Sequence, residues 1–220
     1  CKGPQLKQAI AVIGAGAIGI GTAWHLSNLG HQVVLIDPQL GQPINRSGAL
    51  SGTTASLGVL MGYIFRRSRG RGWQLRQKSM ALWPNWIAKL NTKKHPLRLE
   101  TPLIQLASSE EEASLMQKLI QERTHLGLKL LPPNATNLFT PAFTSNNYAG
   151  VISHQDGRID PLNLMNSLRG ALKQQKVEEK CESVVFIERK STLKKDRWCL
   201  HLQNGHKLTL DTVVVCAALG

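Results

Sequence analysis

The chain lacks any run of roughly 18 apolar residues, so nothing in it reads as a membrane-spanning helix, and no complete signal peptide is visible. Its four cysteines, Cys1, Cys181, Cys199 and Cys216, form no CxxC pair and have no histidine at zinc-ligand spacing. That pattern predicts no metal site and leaves a reducing, cytoplasmic setting as the simplest expectation. The seven histidines, His25 and His154 among them, share no partner spacing that would suggest a base or a triad. Acids are scarce as well. Asp plus Glu number 14 against 27 Lys plus Arg, a net charge of +13, and no acid occurs between Asp37 and Glu100. Arg66 to Arg98 carries ten basic residues within that gap. Such a patch attracts nucleic acid, an anionic membrane surface or an acidic partner; the plainer expectation is a solvated basic face.

What is present is organised around Ile10 to Asp37. An apolar β-type run, Ile10 to Ile13, leads into Gly14-Ala15-Gly16-Ala17-Ile18-Gly19. Ala23, Leu26 and Leu29 follow at helical spacing, Gly30 stops the helix, and a second β run from Val33 to Ile36 ends on Asp37. Strand, glycine turn, helix, strand and acid in that order form a dinucleotide-binding unit. Gly14 permits the tight turn, Gly16 lets backbone approach a pyrophosphate, and Gly19 lets the helix pack close to the sheet. Phosphates then meet the unpaired N–H groups at the positive end of the helix. Asp37 is placed for ribose hydroxyls and opposes a 2′-phosphate, which argues against NADP. The unit itself leaves FAD and NAD open.

Further along, Asn45 to Gly58 is rich in Gly, Ser and Thr and suits close approach to a ligand, or a surface loop. Trp73 to Leu90 has an amphipathic helical pattern that Pro84 is expected to kink or split. Its three tryptophans among basic residues suit a membrane surface or, more simply, the core of a second domain. A strand is expected from Leu103 to Ala107. A helix then runs from Glu110 to Leu126, capped by Ser108 or Ser109 with Glu111 or Glu112 and ended by Gly127. Tyr148 to Ser153 reads as a strand and Asp156-Gly157 as a turn. Asp160-Pro161 opens a helix reaching about Gln175. Strands follow at Ser183 to Arg189, Arg197 to Gln203 and His206 to Leu210, with Asn204-Gly205 as a hairpin turn, then an apolar run from Thr212 to Ala217.

In that order, these motifs resemble the FAD-dependent D-amino acid oxidase and glycine oxidase superfamily. The resembling stretches are the glycine unit with Asp37, Ser51 to Leu60, Asp156-Gly-Arg-Ile-Asp-Pro161, Glu182-Ser-Val184 and Val213 to Ala217. The resemblance implies an α/β fold: a Rossmann-like FAD-binding domain, mostly parallel sheet with a β-meander, plus part of an α+β substrate domain. Residues 1–65 and 157–220 would form the former and 66–156 the latter. It places Gly14, Ala15, Gly16, Ala17, Ile18 and Gly19 at the pyrophosphate, and Asp37 with Pro38 at the adenosine ribose. It places Gly52, Thr53, Thr54, Leu57, Gly58 and Val59 on the flavin side, the Val184 backbone at the adenine, and Ala217 with Ala218 in a closing turn. The superfamily usually has glycine where Ala218 stands. Its substrate-binding tyrosine and arginine align beyond residue 220, so the chain reads as a fragment and no residue in it inherits a catalytic role.

The implied activity is oxidation of an amine or amino acid, with hydride passing to flavin N5. Two alternatives remain at this level: a flavoenzyme acting on a modified tRNA base through the basic stretch, and a non-catalytic or NAD-binding Rossmann protein.

Overall fold

The computed structural model describes residues 6–44, 52–65, 69–133, 135, 148–191 and 196–217. The chain divides into two compact units, one of Cys1–Ser56, Thr92–Pro96 and Pro161–Gly220, the other of Leu57–Asn91 and Leu97–Asp160. In chain order, β1 (Ala9–Ile13), α1 (Ala17–Asn28) and β2 (Gln32–Ile36) open the first unit. The second holds β3 (Val59–Leu60), α2 (Gly70–Leu90), β4 (Leu103–Leu106), α3 (Glu110–Glu122), β5 (Leu128–Leu131), β6 (Gly150–Ser153) and β7 (Gly157–Arg158). The first resumes with α4 (Pro161–Gln174), β8 (Glu178–Lys180), β9 (Val184–Ser191), β10 (Asp196–Leu202), β11 (Lys207–Leu210) and β12 (Thr212–Val215).

The first unit is built on a parallel sheet of order β12-β1-β2-β8. Its central strands, β1 and most of β2, are apolar and buried because both faces are covered. Ala11, Val34 and Ile36 meet Leu200, Leu202 and Leu210 of the antiparallel meander β9-β10-β11 in one buried cluster. By alternation Ile10, Val12, Val33 and Leu35 point to the opposite face and are buried as well. The helices α1 and α4 pack on one another, α4 burying Met165, Leu168 and Leu172 at helical spacing. Gly205 takes the positive φ of +84° that the Asn204-Gly205 turn requires. The mixed α/β fold with a Rossmann-like parallel sheet is therefore as expected. One strand was not: β8 is Glu178-Glu-Lys180, too polar to read as a strand, yet it pairs in parallel with β2 at the sheet edge.

In the second unit an antiparallel sheet of order β4-β6-β5 packs against α3 through Ala113, Met116, Leu128 and Val151, joined by Ile64. Ser109 caps α3 by accepting the Glu112 N–H at 3.2 Å. The Glu112 carboxylate reaches back to the Ser108 N–H at 2.9 Å, so this acid serves the helix end. Two expectations are corrected. The helix α3 ends at Glu122, because Thr124–Leu126 tightens into a 3₁₀ turn before Gly127 at φ +77°. Second, α2 is not split at Pro84: it runs on as one helix, the ring standing on its exposed side.

The unit boundaries also differ from 65 and 157, and the reason is local. Residues 57–65 and 157–160 stay with the second unit because β3 pairs with β7. Residues 92–96 stay with the first, where Ser167 Oγ donates to the His95 carbonyl at 3.2 Å. Among the described residues no helix is long and apolar enough to cross a membrane. Part of the basic stretch is occupied by packing, since Arg76 stacks 3.8 Å from the centre of the Phe65 ring. Residues 66–68 of that stretch lie outside the described residues.

Candidate dinucleotide site

Strand β1 ends in a turn that only glycine can make. Gly14 has φ +104°, and a Cβ there would stand 2.8 Å from the carbonyl carbon and oxygen of Cys216. Its N–H donates to the Ile36 carbonyl at 2.8 Å, which holds the turn against the end of β2. At Gly19 a Cβ would lie 1.8 Å from the Gly14 oxygen and 3.3 Å from Cys216 Cβ. These two glycines thereby let β1, α1 and the end of β12 approach at backbone distance. Cys216, expected to be a small core residue, is half-buried behind this turn, and its N–H donates to the Ile13 carbonyl at 2.7 Å.

The start of α1 is left open. Gly16 occupies the N-cap in extended conformation with no side-chain cap, and no acid stands in the first turn. Ile18 there is 74% exposed. The Ala17 N–H donates to Thr53 Oγ1 at 2.9 Å, and a Cβ at Gly16 would sit 3.4 Å from that hydroxyl. Thr53 therefore lies beside the positive end of the helix, where unpaired N–H groups favour an anion. Thr54 is half-buried and Gly52 exposed in the same segment. Of the glycine, serine and threonine loop, residues 45–51 lie outside the described residues, as does Ala218.

Asp37 closes β2. Its Oδ2 accepts the Ala15 N–H at 2.8 Å and its Oδ1 the Gln39 N–H at 2.7 Å. A carboxylate offers about four acceptor positions, so capacity for a hydroxyl remains. The carboxylate thus ties the glycine turn, through the Ala15 N–H, to the loop that follows β2. Two residues that the sequence did not single out hold this loop. The Arg169 guanidinium of α4 donates to the Gln42 carbonyl at 3.2 Å and to the Leu40 carbonyl, and pairs with Glu179 at 3.5 Å. The Cys181 thiol donates to the Pro38 carbonyl at 3.1 Å. Neither has a motif of its own; only the pairing of β8 beside β2 brings them near Asp37. Past the carboxyl end of β8 lies a cleft of about 430 Å³ lined by Lys180, Cys181, Glu182, Leu202, Asn204 and His206. In open α/β sheets ligands occupy this end of the strands.

The remaining expected residues separate. Val184 pairs with Leu202 across a β-bulge and packs against the cluster under the parallel sheet. Ala217 is exposed just after β12. Leu57, Gly58 and Val59 belong to the second unit. There the Gly58 carbonyl accepts the Ile159 N–H at 3.0 Å, while Leu57 and Val59 are 76% and 42% exposed.

Residues 9–220 match the family described as FAD dependent oxidoreductase, DAO. The chain belongs to the DAO family. The cofactor of this family is FAD, which decides the choice that the glycine turn left open. Among solved structures the DAO-family chain resembles glycine oxidase from Geobacillus kaustophilus with a TM-score of 0.78 at 21% identity, covering 97% of this chain and 56% of that one. It resembles L-amino acid deaminase from Proteus myxofaciens with a TM-score of 0.73 at 15% identity, covering 99% and 47%. A D-amino acid dehydrogenase of Phenylobacterium zucineum is 44% identical over 43 residues, 20% of this chain and 10% of that protein. The chain thus spans about half the length of the similar solved structures.

The residues present fit FAD: an uncapped helix start free of acids, a backbone cradle without side chains, and a carboxylate with spare acceptor capacity. Replacing Asp37 by Ala removes that acceptor and loosens Ala15 and Gln39. Loss of a charged hydrogen bond costs about 1.5–3 kcal/mol, so FAD should bind the complete protein roughly 10- to 100-fold more weakly. Calorimetric titration of the apoprotein with FAD measures this directly.

Proposed function

We propose that the protein is an FAD-dependent oxidase or dehydrogenase of a small amine or amino acid, an activity of the EC 1.4 kind. The open start of α1 beside Thr53 and Asp37 carries the reading, because an anionic dinucleotide is what that arrangement suits. In this assignment Ala17 and Ile18 approach the pyrophosphate. Asp37, with Pro38 beside it, orients the adenosine ribose, and Val184 lies against the adenine. Gly52, Thr53, Thr54, Leu57, Gly58 and Val59 take the flavin side, and Ala217 with Ala218 forms the closing turn. The first unit is accordingly the FAD domain and the second unit part of the substrate domain.

Bound FAD supplies a two-electron acceptor, which no side chain can replace. Held by the α1 start and Asp37, the group would accept a hydride from the carbon beside the substrate nitrogen, and water would hydrolyse the imine so formed. The task of the chain is to fix the cofactor and exclude water from it, not to provide a nucleophile. The likeness to a glycine oxidase and an L-amino acid deaminase supports this substrate class. The complete protein should purify yellow, and its flavin absorption should bleach anaerobically on adding glycine, a D-amino acid or an L-amino acid. Yellow protein that none of a panel of amines and amino acids bleaches would overturn the substrate class. Colourless protein that takes up no FAD would overturn the whole reading.

A further inference from the structure

Away from the dinucleotide site, the outer face of the meander gathers three different metal-binding side chains. Glu188 on β9 stands directly opposite Cys199 on β10, and His201 lies two residues further along the same strand. Opposed residues of an antiparallel pair, and residues two apart on one strand, share a face. The Cys199 thiol, a Glu188 carboxylate oxygen and a ring nitrogen of His201 all lie within 4.8 Å of one another. Leu200 and Leu202, of opposite parity, point into the core beneath, so the backbone that carries the three donors is anchored.

We propose that Glu188, Cys199 and His201 bind a divalent cation of the zinc class, with water in the fourth position. Donor chemistry selects the class. A thiolate and an imidazole favour zinc over calcium or magnesium, and a carboxylate completes a common mixed set. Position supports it too. Cys199 is 2% exposed, which shields the sulfur from competing reactions, whereas His201 and Glu188 are half-buried and open a route from solvent. His201 Nε2 already meets Glu188 Oε2 at 3.3 Å, and the ring is braced edge-on by Phe186 at 5.3 Å between centroids. No hydrogen bond of the Cys199 thiol occurs among the described residues. The opposing charges are Lys190, 3.8 Å from Glu188 Oε2, and Lys207, which pairs with His201 across the β10–β11 ladder. A bound cation must displace the first of these, which sets a site of modest affinity. Binding releases the thiol proton, so it should strengthen as pH rises.

The cation would staple β9 to β10 at mid-ladder, a structural role separate from the flavin chemistry. Cobalt(II) is the probe, because a thiolate ligand gives a near-ultraviolet charge-transfer band and tetrahedral coordination gives intense visible bands. Titration of the complete, reduced protein with cobalt(II) should show both at one equivalent, and zinc should abolish them. Cys199→Ser should remove the charge-transfer band, while Glu188→Gln and His201→Asn should weaken cobalt binding at least tenfold. The latter two alter half-buried positions, so their folding is checked by circular dichroism and does not depend on the tolerance of the buried cysteine. An absent charge-transfer band, or a band that survives in all three variants, would overturn the proposal.

Discussion

Gly19→Ala should leave the protein without bound FAD and with a markedly lower melting temperature. The added methyl would stand 1.8 Å from the Gly14 oxygen and 2.9 Å from its carbonyl carbon, both backbone atoms. A flexible side chain could swing away; this turn cannot, since Gly14 is hydrogen-bonded to Ile36 and pressed against Cys216. The helix must therefore lift from the sheet. Overpacking ordinarily costs about 1–3 kcal/mol, and a backbone clash belongs at or above the upper end. A loss of about 3 kcal/mol lowers the melting temperature of a domain of this size by roughly 10 °C. Displacing α1 also moves the N–H groups proposed to receive the pyrophosphate. Gly21 provides the internal comparison, being on the same helix with no atom within 4 Å of its absent Cβ. Gly21→Ala should be neutral or stabilising by up to about 1 kcal/mol through helix propensity. If both variants melt together and retain equal flavin, the close approach at Gly19 is not what shapes the site.

The second large effect is expected at a carboxylate in the other unit. Asp156 is fully buried and accepts the N–H groups of Gly62 at 2.7 Å, Tyr63 at 3.0 Å and Ile64 at 2.8 Å. One side chain thereby satisfies three consecutive backbone donors that have left β3. Arg123, buried at the end of α3, grips the same segment from its carbonyl side, donating to Tyr63 at 2.5 Å and Phe65 at 2.6 Å. Its guanidinium stacks 4.5 Å over the Trp73 ring, and burial lowers its pKa below the usual arginine value. Removing the Asp156 carboxylate strands the three donors at about 1–3 kcal/mol each, and such losses overlap. Asp156→Ala should cost about 4 kcal/mol in urea unfolding and expose the amides of residues 62–64 to hydrogen exchange. Ser153→Ala, which removes only the acceptor for the Asp156 N–H at 3.1 Å, should cost about 1 kcal/mol. An unchanged urea midpoint for Asp156→Ala would show that water or neighbouring groups replace the carboxylate.

Legibility in the sequence followed the range of the interactions. The glycine turn, α1, the Ser109 cap and the Asn204-Gly205 hairpin are local, and their residues announce them within a few positions. Asp156 read as a turn residue because its partners lie more than ninety positions away. Arg169 and Cys181 were missed likewise, and β8 hid behind a polar composition that an edge strand tolerates. Pro84 did not split α2, since helix breaking is an average tendency and one exposed ring did not decide it. The triad of Glu188, Cys199 and His201 has no zinc spacing along the chain; only strand pairing assembles it.

The register of the parallel sheet has a consequence for how the protein is made. β1 lies beside β12, and Asp211 accepts the N–H of Ala9, 202 positions earlier in the chain. On the ribosome β1 emerges long before β12, and it waits for that neighbour while the intervening 202 positions are made. The antiparallel unit between them can fold in the meantime, for its strands are close in sequence. Until β12 arrives, one edge of β1 has no partner, and the Gly14 turn has no Cys216 to close against. The cofactor site thus matures only after β12 has arrived, and FAD would act from then on, by trapping a sheet that has just closed.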